Sequence, residues 1–500
     1  MSYTRSPLSQ NYGNPSIQGV KLLIWIVIVL VLFVFQTATI LIGEYRRPAK
    51  TVAWLLVMFI FPVIGFIMYY FLAKEYSQRK IVRRKGHGKP KAKRHSVSDV
   101  IPLPEEDEPL ESVKYELYED ARLCGFLCNI PGSPLTERNQ VEVLTNAEPA
   151  YASMLAAIDE AKDHVHFEFY TIRHDATGRR FQEALIRKAQ EGVKIRVIYD
   201  GIGSYQLSSA YINNLKQAGI EVQSFLPPMI AFFDKRLNYR NHRKIVIVDG
   251  KVGFLGGINI GDEYLGGDPK LGFWRDTHLK LLGDAVYYLQ QTFLTDWLFV
   301  SGQRVSGESL FPEHHQPEDS LIQVIASGPD AQWDAIQEMF FAGIVAAKKR
   351  VYLTTPYFIP DPSITMALKT AVISGADVRM ILPYKADSRI VQYATKAYLL
   401  ELMQAGVRVY LYRKGFMHAK VMLIDYTMAT VGTANMDMRS FFSNFELNAV
   451  LFKSDVITRL EADFLQDLKD CEELKLAEFE KRSRWEKAKE VLARMLSPLF

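Results

Sequence analysis

Two stretches decide the reading of this 500-residue chain: NHRKIVIVDGKVGFLGGIN, Asn241 to Asn259, and MHAKVMLIDYTMATVGTAN, Met417 to Asn435. Each sets a Lys two residues after a His, an Asp five residues after the Lys, then glycine and an Asn seventeen residues after the His. Both stretches read as strands, so a period of two puts His242 with Lys244, and His418 with Lys420, on one strand face. Asp249 and Asp425 fall on the other face at the strand end, suited to holding backbone or a salt bridge rather than sharing a ligand. Asp249-Gly250 reads as a tight turn whose return strand brings Asn259 back beside His242 and Lys244. Gly256 and Gly257 remove side chains where a substrate must approach. Lys charge and Asn amide donors suit a phosphate oxygen, and His supplies a nucleophile or proton carrier near neutral pH. One His-x-Lys-x4-Asp alone says little, but two at equivalent places with the same trailing Asn describe one chemical device made twice.

The duplication extends outward from the motifs. AKDHVHFEFYTI (Ala161 to Ile172) corresponds to AKKRVYLTTPYF (Ala347 to Phe358), EGVKIRVIYDG (Glu191 to Gly201) to SGADVRMILPY (Ser374 to Tyr384), and AGIEVQSF (Ala218 to Phe225) to AGVRVYLY (Ala405 to Tyr412). Helical spacing at Tyr151, Met154, Leu155 and Ile158 alternates with strand patterns, which predicts an α/β fold of two tandem domains, residues 113–315 and 316–475. The first copy carries an apolar insertion, LPPMIAFFDKRLNYR (226–240), that reads as a lid or membrane-dipping loop, with a packed surface loop as the alternative.

Ahead of the repeat, Leu22 to Ile42 and Thr51 to Ala73 are runs free of charged residues, each long enough to cross a bilayer. The reading is a transmembrane hairpin over 19–73 behind a short tail, 1–18. Arg5 and Lys21 precede it, Arg46, Arg47 and Lys50 join its arms, and ten Lys or Arg fill residues 74–95. That asymmetry predicts a multi-pass protein of the cell membrane with both termini and the catalytic domains in the cytosol. The stretch 74–112 reads as a flexible basic linker and 476–500 as an amphipathic helix that lies in the membrane interface or packs on the body.

Sixty Lys and Arg against 56 Asp and Glu are too even to argue for a nucleic-acid binder. Three cysteines, Cys124, Cys128 and Cys471, form no disulfide framework and no metal set. His164, His166 and Glu168 share one face of a strand, read as a strand edge near the phosphate site and not as a metal centre, and His314 with His315 as linker. Glu446, in SNFELNAV, and Asp276, in FWRDTH, are the carboxylates expected to orient the two imidazoles.

With its doubled motif the chain resembles the phospholipase D superfamily. The membrane segments, the basic linker, RRPAKTVAWLL (Arg46 to Leu56) and TTPYFIP (Thr354 to Pro360) resemble the bacterial cardiolipin synthases within it. The resemblance implies that the two copies face each other across one site on a pseudo-twofold axis and act without metal or other cofactor. It implies a catalytic set of His242, Lys244, Asp249, His418, Lys420 and Asp425, with Asn259 and Asn435 binding phosphate. His242 would attack the phosphorus of one phosphatidylglycerol while His418 protonates the departing glycerol, and a second phosphatidylglycerol would then take up the phosphatidyl group. A hydrolase using water and a transferase using another donor lipid share these motifs; a nuclease would have no need of the membrane segments.

Overall fold

The computed structural model describes residues 15–43, 48–72, 121–227, 238–314, 320–331, 333–452 and 455–499. The basic linker, most of the 226–240 insertion and His315 lie outside the described residues. The chain divides into two compact units, residues 1–74 and 75–498.

The first unit contains α1 (Pro15–Gly43), α2 (Pro48–Ile60) and α3 (Pro62–Leu72). Among the described residues one helix, over Leu23–Ile42, is long and apolar enough to cross a membrane. The expected second span is not one continuous helix: within residues 51–72 the chain leaves helical geometry at Phe61, and Pro62, with no amide N–H to give, starts a new helix.

The second unit is built on two sheets. The first runs β1 (Asn139–Thr145), β7 (Thr277–Gly283), β6 (Val252–Gly256), β5 (Lys244–Val248), β2 (His164–Phe169), β3 (Lys194–Asp200), β4 (Glu221–Phe225). The second repeats that order with β8 (Leu321–Ser327), β14 (Asn444–Phe452), β13 (Met428–Gly432), β12 (Val421–Ile424), β9 (Arg350–Thr354), β10 (Asp377–Pro383) and β11 (Arg408–Tyr412). In both, three strands are parallel and the motif strand is antiparallel to its neighbours. The repeat seen in the sequence is therefore a repeat of topology.

The motif strands read as continuous apolar runs because they are covered on both sides. Ile245 and Ile247 of β5 enter a core with Leu423, Ala429 and Leu447 of the second sheet. Leu289, Phe293 and Trp297 of α4 (Ala285–Ser301) and Ile457, Leu460 and Phe464 of α5 (Asp455–Lys469) fill the same core. The alternate residues Val246 and Val248 face an outer core with Met154, Phe181 and Leu185. On the other side of the unit Met422 and Ile424 meet Met339, Leu368 and Leu402. The halves thus pack as one unit with a shared central core. The exchange reaches the edges, where Leu135–Thr136 of the first half pairs with β8 of the second.

The His164, His166 and Glu168 expectation needs a correction. β2 is an interior strand, not an edge, and these side chains are almost fully buried. His166 stacks on Phe293 with ring centroids 4.3 Å apart, and Asn241 donates to Glu168 at 2.5 Å. No cluster able to hold a metal occurs among the described residues. The C-terminal helix, Arg484–Leu496, begins with a Ser483/Glu486 capping box and buries Glu490 and Ala493, while Trp485, Val491 and Leu492 stay exposed.

Candidate active site

Backbone bonds between the halves create the site. Arg240–Asn241, just ahead of the first motif, pairs in parallel with Asn444–Phe445, and the amide of His242 donates to the Phe445 carbonyl at 2.9 Å. In the mirror arrangement Gly415–Met417 pairs with Phe273–Arg275, and the amide of His418 donates to the Arg275 carbonyl at 2.7 Å. Each motif is thereby fastened to the residue before the other half's carboxylate.

The consequence is a crossed pairing. His242 Nδ1 meets Glu446 Oε2 at 2.9 Å, and His418 Nδ1 meets Asp276 Oδ2 at 2.5 Å. Both carboxylates are fully buried, so Nδ1 carries the proton and Nε2 of each ring is left for chemistry. Glu446 is steadied further by Thr433 Oγ1 at 2.5 Å and Asn444 Nδ2 at 3.0 Å, and Asp276 by the Thr277 amide at 2.8 Å. The Lys244 and Lys420 ammonium groups each donate to the carbonyl of their own motif's His at 2.6 Å, which ties Lys to His within each motif.

Burial, opposed by the paired carboxylate and reinforced by the lysines, lowers His242 to about 4; burial and then Lys420 lower His418 to about 3. Burial likewise brings Lys244 to about 7 and Lys420 to about 8. The basic neighbours outweigh burial at the carboxylates: His242 first among them holds Glu446 at about 2, and His418 holds Asp276 below its usual value. Near neutral pH both imidazoles are neutral and the lysines are near their titration points. An anion arriving between them favours every protonated form at once.

Both imidazoles, Asn259 and Asn435 line one cavity of about 490 Å³. Tyr170 stands edge-on to His242 and Trp274 lies against His418, each with ring centroids 5.0 Å apart. Asn259 accepts from the Thr171 amide and meets the Tyr264 hydroxyl at 3.1 Å, which orients its amide; Asn435 Oδ1 is buried without a hydrogen-bond partner. Sequence reasoning missed Tyr170, Trp274, Arg173, Tyr357 and Arg439, all of which line the cavity. Trp274 and Arg439 sit close to recognised residues in FWRD and NMDMRS, but nothing in their spacing marks them. A second cavity, of about 590 Å³, shares Leu271, Asp387 and Val391 with the first and carries Lys270, Lys385, Arg389 and Lys396.

Asp249 and Asp425 do not line the cavity and hold backbone, as their place on the opposite strand face predicts. Asp249 accepts from the amides of Lys162, Asp163 and His164, and Asp425 from those of Lys348, Lys349 and Arg350. A carboxylate that binds three amides fixes the turn and the neighbouring strand. Gly257 makes room for the orienting carboxylate instead of the substrate, since a Cβ there would lie 2.1 Å from Asp276 Oδ1.

Residues 154–297 and 341–468 match the family described as cardiolipin synthase, PLD-like domain, and residues 22–74 match the phospholipase D-nuclease N-terminal family. The cardiolipin synthase of Geobacillus kaustophilus is 40% identical over 465 residues, covering 91% of this chain and 90% of the relative. That of Halalkalibacterium halodurans is 41% identical over 463 residues, covering 91% and 90%. That of Listeria monocytogenes serotype 4b is 39% identical over 477 residues, covering 95% and 98%. Among solved structures, the phosphatidylserine synthase of Haemophilus influenzae superposes with a TM-score of 0.60 at 14% identity, over 76% of this chain and 99% of that one, a likeness of fold.

Proposed function

This chain belongs to the phospholipase D-like cardiolipin synthase family, and from that membership we propose that it joins two phosphatidylglycerols into cardiolipin with release of glycerol. The observation that carries the reading is the crossed pair His242–Glu446 and His418–Asp276 on one cavity, with a lysine tied to each His. Nε2 of His242 attacks phosphorus and the bond to the glycerol oxygen breaks, while Nε2–H of His418 gives that oxygen its proton. The result is a phosphatidyl-histidine. Neutral His418 then takes the proton of a glycerol hydroxyl on the second phosphatidylglycerol, whose oxygen attacks phosphorus and frees His242. Lys244, Lys420, Asn259 and Asn435 stabilise charge on the non-bridging oxygens, and the scheme asks for no cofactor.

Because burial and Lys420 keep His418 neutral, its acid form arises with the bound phosphodiester, whose charge raises the pKa of the imidazole. The halves act as partners about a pseudo-twofold axis, a reading supported by their common strand order and reciprocal amide bonds. Transfer is favoured over hydrolysis by the second cationic cavity, which suits the phosphate of an acceptor lipid next to the first. The protein is anchored in the cell membrane by α1, and the basic residues near the membrane favour a cytosolic catalytic unit.

The test uses purified full-length protein and vesicles of phosphatidylglycerol labelled in the headgroup. Cardiolipin and free labelled glycerol in equal amounts are expected. Phosphatidic acid in place of cardiolipin would replace the transferase reading with the hydrolase.

A further inference from the structure

The second apolar run folds at its middle. The pairs Met58/Gly65 and Trp54/Tyr69 lie symmetrically about the Phe61–Pro62 bond. In an unbroken helix they would stand about 10 Å and about 22 Å apart along the axis. Instead a Cβ on Gly65 would lie 3.0 Å from the Met58 Cα, and the Trp54 and Tyr69 rings meet edge to face with centroids 5.5 Å apart. Helix α3 therefore runs back along α2. The fold leaves little backbone unpaired: the Phe61 amide donates to Val57, the Gly65 amide donates to Phe61, and Pro62 has none to satisfy.

Helix lengths then decide how deep each element reaches. At 1.5 Å per residue α2 is about 20 Å long and α3 about 17 Å, both short of the roughly 30 Å hydrocarbon core, whereas α1 at about 44 Å exceeds it. The hairpin accompanies α1 only near the C-terminal end of α1. Phe66 meets Phe35 with centroids 6.5 Å apart, and the Tyr69 hydroxyl donates to the Thr39 carbonyl at 3.4 Å. Residues 23–34 of α1 are exposed. The hairpin tip, Phe59, Ile60, Phe61, Val63 and Ile64, is 52–74% exposed and carries no charge.

We propose that residues 48–72 form a re-entrant wedge that enters and leaves the bilayer through one face, its tip among the acyl chains of that leaflet. Only α1 crosses, so the N-terminal tail and everything after Ala73 lie on opposite sides of the membrane. The proposal rests on the membrane reading above and not on the phosphatidyl chemistry. The charges fit it better than they fit two spans. Arg46, Arg47, Lys50 and the ten basic residues of 74–95 all fall on one side, leaving Arg5 and Lys21 on the other.

Cysteine labelling in intact cells tests this, in a full-length chain carrying Cys124→Ser, Cys128→Ser and Cys471→Ser. Ser6→Cys, Tyr45→Cys and Tyr76→Cys are added singly and treated with a membrane-impermeant maleimide before and after permeabilisation. The expected pattern has positions 45 and 76 behaving alike and opposite to 6, with 6 labelled from outside. If 6 and 76 behave alike and opposite to 45, the segment spans and the proposal falls; if all three behave alike, α1 does not cross and it falls as well. Reversed labelling with 45 and 76 still paired supports the wedge while overturning the cytosolic placement. Phosphatidyl transfer by each variant in isolated membranes shows that it is folded, and the chemistry succeeds or fails in that assay independently of the labelling.

Discussion

Nδ1 of His242 lies 2.9 Å from a carboxylate oxygen of Glu446, a residue 204 positions further along the chain and in the other copy of the repeat. His418 reaches back 142 positions to Asp276 in the same way. Neither motif histidine finds its carboxylate in its own half, so the doubled sequence makes one site and not two.

Removing charge from either carboxylate should therefore disable chemistry without emptying the site. Glu446→Gln and Asp276→Asn can keep a hydrogen bond but lose support for the imidazolium and for the tautomer. We expect losses on the order of 10²- to 10⁴-fold in kcat with a much smaller change in KM. Headgroup-release kinetics on vesicles measure both, and a loss confined to KM would contradict the assignment.

The roles of the two imidazoles separate with an activated substrate. A phosphatidyl ester of nitrophenol leaves without needing a proton. In a single turnover His418→Ala should release about one nitrophenol per site at a rate close to that of the parent chain while failing on phosphatidylglycerol; His242→Ala should fail on both. The opposite pattern would exchange nucleophile and acid.

Substrate binding should draw protons from solution. Lys244 near 7 and Lys420 near 8 are partly neutral at pH 8, and a phosphodiester anion favours their charged forms. Calorimetric titration with a short-chain phosphatidylglycerol at pH 8 should give heats that vary with the ionisation enthalpy of the buffer. A heat identical in all buffers would show that no proton moves.

Acid should destabilise the fold through the same residues. His242 titrates at about 4 in the folded chain, below its ordinary value near 6.5, so its neutral form stabilises the fold above about 6.5. That contribution is lost as the pH falls from about 6.5 through 4. Glu446, held at about 2, adds a loss as the pH falls from about 4.5 towards 2. Melting temperature should thus decline from pH 7 to pH 4, and His242→Asn should flatten the upper part of that decline.

Asp249→Ala and Asp425→Ala should act on stability. Each strips three amides of their acceptor, and an unsatisfied buried amide costs about 1–3 kcal/mol, less where water can enter. A lower melting temperature with near-normal turnover in the folded fraction is expected. Gly257→Ala should instead lower turnover together with stability, because its Cβ would displace the buried Asp276 carboxylate from His418.

Local chemistry was legible in the sequence wherever it depended on local spacing. Alternation in VHFEFYT and the apolar run KIVIV specified strands, the His-x-Lys period put each lysine within reach of its own motif's His, and Asp249-Gly250 turned the chain so that Asn259 returned to the site. Repetition of these patterns specified the common strand order. An α/β fold and the gathering of His and Asn side chains at one site follow from such periodicities because each is a property of a few adjacent residues.

What only the tertiary structure decided are relations across long separations. Which carboxylate serves which imidazole depends on the strand pairing of 240–241 with 444–445 and of 415–417 with 273–275, contacts that no local spacing encodes. Tyr170, Trp274 and Arg439 join the cavity through the same docking. The N-terminal apolar run teaches the same distinction: its composition determined that it would leave water, but hydropathy is a sum and carries no direction. The fold at Phe61 arises because Pro62 withholds an amide and Gly65 admits the Met58 backbone, so helices too short to cross can pack on each other.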